Sequence, residues 1–278
     1  MKDLEKAREY KVVKHNDLIQ KAKYNLSANQ QKFIAYVISL IKPDDKELMM
    51  YEVSVIDFCD LCGINKEHFY SEFKAMLLDL DKKSFLVETK EKVFNFRWFS
   101  EFEYIKGKGV VKVQLNSNLK SYLLELYEHF TVYELYNILA IRGKYGLRLY
   151  ELSQSWFNSK KQKEVTKDID LDELKSILMA TTYKDFKGFR RRVIEPSIKE
   201  INSFTDLEIT YKPVKDGRKV TSIEFVIRRK DYNNAYIAYK NTLNRINKRS
   251  NQIEGQLSIF DMNECDFRNG FYLKVVSD

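Results

Sequence analysis

The chain has 278 residues, a hydrophobic fraction of 44% and a formal net charge of +8. This composition excludes wholesale disorder, and the length predicts two domains of ordinary size. Three cysteines cannot form a disulfide framework, the longest apolar runs are too short to span a membrane, and the charged N-terminus is not a secretory signal, so we expect a cytoplasmic protein.

The first half of the sequence predicts a helix-turn-helix followed by β-strands. Helices are expected over 16–24 and 27–41, the second with an apolar stripe at helical spacing. A short strand then leads to Ser54, which with Asp57 has the spacing of a helix N-cap oxygen and a carboxylate three residues later. After the two helices of the motif come β-rich segments at 84–89, 93–105 and 110–115, with a polar turn at 106–109.

The same pattern recurs 116 residues later. Residues 53–58 superimpose on 169–174, and Asp170 with Glu173 repeats the capping spacing. This second copy also ends in β-rich segments around a polar turn. Its predicted elements are helices over 132–140 and 144–157, strands over 207–212 and 220–228, and a turn at 215–219, with segment 116–127 as the connection between the copies.

A helix, a turn, a second helix and a β-hairpin form a winged helix-turn-helix. The sequence therefore predicts an α+β fold of two tandem winged helix-turn-helix domains related by pseudo-symmetry. We expect the first in residues 1–125 and the second in residues 126–230. Residues 231–278 form a tail that opens with a helix over 231–248.

The excess positive charge is concentrated in the second copy. Residues 184–230 hold 13 basic and 7 acidic residues, a net charge of +6 out of the total of +8. Such asymmetry is typical of a protein that binds a polyanion and favours a nucleic-acid partner. A solvated basic surface without a partner is the alternative.

The second helix of this copy, predicted over 184–202, separates apolar from basic residues. Arg190 is also a candidate DNA contact, but it falls on the apolar side, where it would snorkel outward or make a structural contact instead. Gly188, in the middle of the outward face, would allow DNA to approach closely, and Pro196 should kink the helix or break it in two. The outward face carries Lys184, Lys187, Gly188, Arg191, Arg192 and Lys199.

The turns of the two hairpins, the predicted wings, also carry cations. Lys215, Arg218 and Lys219 suit phosphate or minor-groove contacts. The first copy offers Lys74 on its second helix and Lys106 and Lys108 on its wing, but its helix also exposes acidic residues. For this copy two interpretations stay open, weak DNA binding and a protein interface.

The sequence contains no pattern for catalysis or metal binding. It lacks a GxxxxGK[ST] phosphate loop and a His-x-His pair of the kind that holds a metal for DNA nicking. Cys59 and Cys62 match apolar positions of the repeat and are expected in the core. The sequence predicts a binding protein that is not an enzyme and has no cofactor or metal.

Three segments are similar to the theta-type plasmid replication initiators. Residues 13–19, continued by Leu26-Ser27 and the helix 30–41, resemble the opening of these proteins. Residues 145–152 resemble the long helix of their second domain, and residues 183–202 resemble their DNA-reading helix. The resemblance covers about residues 10–230, and the family's tandem winged helices agree with the repeat.

The resemblance implies partners as well as a fold. Monomers of such proteins bind direct repeats (iterons) in double-stranded DNA at a plasmid origin and prepare it for the replicative helicase with the host initiator, while dimers repress the initiator's own promoter. Their first winged helix serves both DNA contact and dimerisation. Two alternatives are a winged-helix transcriptional repressor without an initiation role and, disfavoured by the histidine spacing, a nicking initiator enzyme.

A short peptide follows the polar linker 250–255 in the tail. It closely resembles the motif with which bacterial replication proteins bind the β sliding clamp, and its apolar side chains suit a groove-binding extended peptide. The alternative is a segment folded back on the second domain. The residues are Gln256, Leu257, Ser258, Ile259 and Phe260.

Overall fold

The computed structural model describes residues 10–42, 44–64, 69–88, 92–105, 107–124, 126–159 and 161–250. Lys106 and the clamp-like peptide 256–260 lie outside the described residues. In the described part of the chain, no helix combines the length and the apolar character needed to cross a membrane.

The first winged helix is built from residues 50–115. Strand β3 (Met50–Ser54) leads into helix α3 (Val55–Cys62), a turn at Gly63 and helix α4 (Phe69–Asp81). The Ser54 side chain accepts a hydrogen bond from the Asp57 amide at 3.2 Å, so the predicted N-cap is confirmed. Strands β6 (Phe99–Ile105) and β7 (Val110–Leu115) complete an antiparallel sheet with the strand order β3-β7-β6.

The second winged helix, residues 164–229, repeats this topology. Strand β9 (Glu164–Asp170), helix α8 (Leu171–Ile177) and a long helix over 186–204 precede strands β10 (Leu207–Asp216) and β11 (Lys219–Arg229). The α-helical parts of the long helix are α9 (Phe186–Phe189) and α10 (Glu195–Phe204). The sheet order is β10-β11-β9, so β9, β11 and β10 occupy the places of β3, β7 and β6. The predicted tandem of winged helices is confirmed.

The helices that support the two copies are also equivalent. Helix α2 (Ala28–Ser39) and helix α7 (Lys144–Ser155) have the same length and begin 116 positions apart, the offset of the repeat. Helix α1 (Asn16–Gln20) ends earlier than predicted, because strand β2 (Ala22–Lys23) follows it. The predicted connection over 116–127 contains a 3₁₀ turn (Ser117–Leu119) and helix α5 (Lys120–Leu123).

The first copy contains an additional hairpin. The segment predicted as one strand over 93–105 is divided at Trp98 into β5 (Val93–Arg97) and β6. Strand β5 pairs with β4 (Ser84–Glu88) in a separate sheet of order β2-β4-β5. Trp98 itself is buried and stacks on Phe85 with 4.4 Å between ring centroids, so the division allows its ring to enter the core.

The two halves of the chain are joined by a two-stranded sheet. Strand β1 (Lys11–His15) pairs antiparallel with β8 (Phe130–Glu134), and helix α6 (Tyr136–Leu139) follows β8. The prediction of one helix over 132–140 is therefore wrong for its first residues. Thr131 and Tyr133 point inward at the spacing of two that a strand requires.

A buried charged cluster lies beneath this sheet. Glu151 of α7 accepts hydrogen bonds from Lys14 of β1 and, at 2.6 Å, from the hydroxyl of Tyr133. Arg148 donates to the Tyr24 hydroxyl at 2.7 Å and to Glu151 at 3.3 Å. All five side chains are buried, and they come from both halves of the chain. We call Lys14, Tyr24, Tyr133, Arg148 and Glu151 the interdomain cluster.

The predicted tail helix is present as α11 (Tyr232–Ser250). It packs on the second winged helix and its support, where Tyr239 makes an edge-to-face contact with Tyr136 at 5.1 Å. The Thr242 hydroxyl donates to the Phe204 carbonyl at 2.9 Å. The helix is thus fixed to the second half of the chain.

Candidate nucleic-acid interface

The helix-turn-helix of the second copy is capped at both helix starts. Asp170 accepts hydrogen bonds from the amides of Asp172 and Glu173, both at 2.9 Å, and so begins α8 as predicted. The 186–204 helix begins two residues later than predicted, because Asp185 is its N-cap and accepts from the Gly188 amide at 2.7 Å. Lys184 therefore lies just before the helix.

Gly188 supports this cap. A β-carbon at this position would lie 3.3 Å from one Asp185 carboxylate oxygen, so glycine leaves room for the capping side chain. The hydrogen bond from Gly188 holds the pKa of the Asp185 carboxyl below its usual value. The absent side chain thus has a local structural reason in addition to the expected approach of DNA.

One face of the 186–204 helix is anchored in the core. Phe189, Val193, Ile194 and Ile201 are buried, as the apolar stripe predicts. Burial of each such side chain contributes about 1.5–3 kcal/mol. The opposite face is thereby held toward solvent.

Pro196 does not break the helix. Residues Arg190–Ile194 adopt π-helical geometry, and the Glu195 amide donates to the Arg190 carbonyl five residues earlier. Pro196 is the second residue of the following α-helical part and has no amide hydrogen to donate to the preceding turn. The wider turn keeps the backbone helical through residue 204, so the alternative of two separate helices is wrong.

The exposed face of this helix forms one wall of a groove. Lys187, Arg191 and Arg192 line the groove with Gly188 and with residues 182–185, which precede the helix. The three cations are exposed. The groove therefore presents several exposed cations, with the Asp185 carboxylate beside Gly188.

A second cleft joins this helix to the wing. Lys184 and Phe186 line it from the start of the helix, Arg218 and Lys219 from the β10–β11 hairpin, and Lys175 from α8. Three carboxylates, those of Asp170, Asp172 and Asp185, line the same cleft. Lys184 lines both openings, so they form one continuous surface. We call Lys184, Lys187, Arg191, Arg192, Arg218 and Lys219 the basic surface.

The remaining predicted cations of the second copy lie elsewhere. Arg190 pairs with Glu195 at 3.3 Å, which agrees with its expected structural contact. Lys199 is exposed farther along the helix, outside both openings. Lys215 is exposed next to a register shift between Val214 and Lys215, and it does not line the cleft.

Sequence reasoning missed three residues that line these openings. Lys175 is almost fully buried, with its ammonium group 5.7 Å from the centre of the Phe189 ring, yet it reaches the cleft. Thr182 and Tyr183 form part of the groove wall. Asp185 is a favoured N-cap residue, and this signal in the sequence could have placed the start of the helix at 186 and these residues in the loop before it.

The corresponding face of the first copy has a different character. Lys74 is exposed on α4, but its neighbours on the outer face are Glu72, Ala75 and Leu78, and Leu78 is 44% exposed. Asp79 is held by Lys83 at 2.6 Å. Lys108 is exposed in the β6–β7 turn. This face is mixed rather than basic.

Other titratable groups form no further site in the described part of the chain. Within it, no group of three or more His, Cys, Asp or Glu side chains is arranged to hold a metal ion. Cys59 and Cys62 are buried in the core of the first winged helix, as predicted. His15 accepts a hydrogen bond from the Asp17 amide at 3.1 Å and so begins α1.

Comparisons with known proteins agree with this geometry. The model of the initiator replication protein WH1 family matches residues 11–154, and that of the initiator Rep protein WH2 family matches residues 170–227. A replication initiation protein of Escherichia coli is 23% identical over 225 aligned positions, and the alignment covers 78% of this chain and 69% of that protein. An uncharacterised 27.6 kDa protein of the same organism is 24% identical over 76% of this chain and 93% of its own length.

A solved structure has the same fold. The crystal structure of the Pi initiator protein in complex with iteron DNA superimposes with a TM-score of 0.68 at 18% identity. The match covers 81% of this chain and 99% of that one. The WH1 match alone spans more than half of the chain.

Proposed function

Because the chain belongs to the initiator replication protein family, we propose that it starts plasmid replication by binding iteron repeats in double-stranded origin DNA. The observation that carries the proposal is the basic surface, which joins the 186–204 helix to the wing. A protein of the same fold has been crystallised with iteron DNA, which supports the choice of ligand.

The 186–204 helix suits the major groove, which admits one α-helix with its exposed face toward the bases. Arg191 and Arg192 have the planar donor arrangement that pairs with the edge of guanine, whereas Lys187 suits a phosphate. Arg218 and Lys219 of the wing would then meet the neighbouring backbone or minor groove. The division of roles is base reading by the helix and positioning by the wing.

The remaining parts of the proposal extend the family's function to this chain. Its monomers would prepare the origin for the host initiator and the replicative helicase in the cytoplasm, without a covalent step on DNA. Its dimers would repress its own promoter. The mixed face of α4, with Lys74 beside Glu72 and Leu78, supports a role in self-association together with weak DNA contact through Lys106 and Lys108.

Fluorescence anisotropy with duplexes from the DNA beside the gene tests the binding. Direct repeats should bind about 10³-fold or more tightly than shuffled duplexes at physiological salt. Equal affinity for both would contradict the proposal. Maintenance of an origin plasmid with the protein supplied in trans distinguishes an initiator from a repressor, and a site-specific nick with a covalent tyrosine linkage would instead reveal a nicking enzyme.

Replacement of wing cations should weaken binding without changing sequence preference. Arg218→Ala and Lys219→Ala should each reduce the slope of log K against log salt by about one unit, because each loses one phosphate contact. Lys167→Ala, on β9 and outside the cleft, is a matched control for loss of one charge. Salt titrations of all three variants measure the effect, and an unchanged slope for both wing variants would exclude the wing contact.

The peptide 256–260 supports a further partner, the β sliding clamp, on sequence grounds. In a pull-down with purified clamp, Leu257→Ala combined with Phe260→Ala should abolish capture, because these apolar side chains would fill the clamp's groove. Ile253→Ala in the linker is the matched control and should bind like the parent protein. Undiminished capture of the double variant would exclude this contact.

A further inference from the structure

Helix α11 extends beyond the segments that the two family models match, which end at residue 227. Its central part is fixed to the second half of the chain by Tyr239 on Tyr136 and by Thr242 on the Phe204 carbonyl. Asn241 adds a hydrogen bond to the Ser203 carbonyl at 3.3 Å. The end of the 186–204 helix is therefore bonded directly to α11.

The second half of α11 reaches the first winged helix. Ile246 is almost fully buried and packs against Gly63, the residue that ends α3 in the helix-turn-helix. A β-carbon at Gly63 would lie 2.8 Å from the Ile246 carbonyl oxygen and 2.9 Å from its α-carbon. The two backbones are thus in direct contact, at a position whose φ of +60° also favours glycine.

Arg245, the residue before Ile246, bonds to the second copy of the winged helix. Arg245 donates to Glu200 of the 186–204 helix at 2.8 Å, and its guanidinium lies 4.3 Å from the centre of the Phe204 ring. Glu200 also accepts from the Gly143 amide at 2.9 Å, which fixes the carboxylate at the start of α7. Consecutive residues of α11 therefore contact the helix-turn-helix of the first copy and the long helix of the second.

We propose that α11 is a positioning element that fixes the distance and rotation between the two helix-turn-helix units, and thereby the spacing of the DNA contacts that the protein accepts. This inference rests on the proposed function. Inserting one base pair moves a contact by about 3.4 Å and turns it by about 34° around the helix axis. If α11 holds the two units rigidly, they cannot both keep their DNA contacts after such a displacement. If the connection is loosened, the units can move apart and keep both contacts.

The test compares Ile246→Asp with Ile237→Asp in the full chain. Both residues lie on α11, but Ile237 is 55% exposed, so the control adds the same charge without touching the first winged helix. The probes are iteron duplexes with a single base pair inserted at successive positions. The measured quantity is the ratio of affinities for the native and the inserted duplex.

The parent protein and Ile237→Asp should lose about tenfold or more in affinity at insertions between the two contacts, as expected when one contact is displaced. Ile246→Asp should bind the native repeat more weakly and lose less than about threefold on insertion. If Ile246→Asp melts far below the parent, Ile246→Ala and Arg245→Ala decide, and their insertion ratios should fall in the same direction.

Two results would overturn the inference while leaving the proposed function intact. One is a parent protein that binds iterons but tolerates every insertion, and the other is an Ile246 or Arg245 variant with the parent's insertion ratio. A parent protein that does not prefer iterons at all would instead contradict the proposed function. The two failures are therefore distinguishable.

Discussion

Glu151→Ala is expected to lower the free energy of unfolding by about 3–5 kcal/mol, because it leaves buried cations without their counter-ion. Glu151 accepts from Lys14 and Tyr133 and pairs with Arg148 at 3.3 Å, and all of these side chains are buried. Their attraction offsets the cost of removing the charges from water only while the cluster is complete. When one member is removed, the cost of keeping the remaining charges out of water is no longer offset.

Urea denaturation followed by circular dichroism measures the change. Glu88→Ala is the matched control, since Glu88 pairs with Lys23 at 3.5 Å on the surface with 60% of its side chain exposed. Exposed pairs contribute about 0–1 kcal/mol, so the control should stay within that range. A loss below about 1 kcal/mol for Glu151→Ala would show that the interdomain cluster does not support the fold.

The same carboxylate links stability to pH. Burial alone would raise the pKa of Glu151, but Lys14, Arg148 and the Tyr133 hydroxyl hold that pKa below its ordinary value of 4.5. The unfolded chain has the higher pKa, so this contribution is complete above about pH 4.5 and is lost as the pH falls through the folded value. Glu151→Gln should remove the corresponding acid dependence from the unfolding free energy.

Local chemistry made much of the fold predictable. Ser54 and Asp170 begin their helices as expected, because an N-cap needs only a side-chain oxygen and amides two or three residues later. Helices α2 and α7 were predictable from the spacing of their apolar residues, which is also a local signal. Such signals lie within a few residues and are read directly from the sequence.

The prediction of a helix over 132–140 is wrong at β8 because this strand depends on long-range pairing. Its residues adopt a strand because they pair with β1, which lies more than a hundred positions earlier, as in the partnership of Thr131 with Lys14. That partner cannot be deduced from local spacing, and tertiary contacts override weak helical signals. The interdomain cluster was missed with it, since its members are brought together by the same pairing.

The candidate surface was predictable in part. Helical spacing identifies Lys187, Arg191 and Arg192, because the buried stripe fixes which side of the helix faces solvent. Helical spacing does not show which residues of the wing lie next to this helix. The hairpin register shifts between Val214 and Lys215, and in this hairpin Arg218 and Lys219 line the cleft whereas Lys215 does not.

The largest expected effect on DNA binding is that of Arg191. Arg191→Ala should cost about 1–3 kcal/mol in binding to the iteron, or about 5–150-fold, if its guanidinium pairs with a guanine edge. Arg191 is exposed in the groove beside Gly188, and no ion pair with a protein carboxylate is observed for it among the described residues. Its donors are therefore available to a base.

Arg190→Ala supplies the matched control, because Arg190 is the adjacent arginine but is engaged by Glu195. It should change affinity by no more than about 0.5 kcal/mol, as is usual for surface positions outside a contact. Arg191→Lys separates charge from geometry, since lysine keeps the charge but cannot make the two parallel hydrogen bonds. If Arg191→Lys binds the iteron as tightly as the parent, or if Arg190→Ala loses as much as Arg191→Ala, then Arg191 acts through charge alone. Anisotropy titrations on iteron and shuffled duplexes at one fixed salt concentration distinguish these cases, because loss of base reading lowers only the iteron affinity.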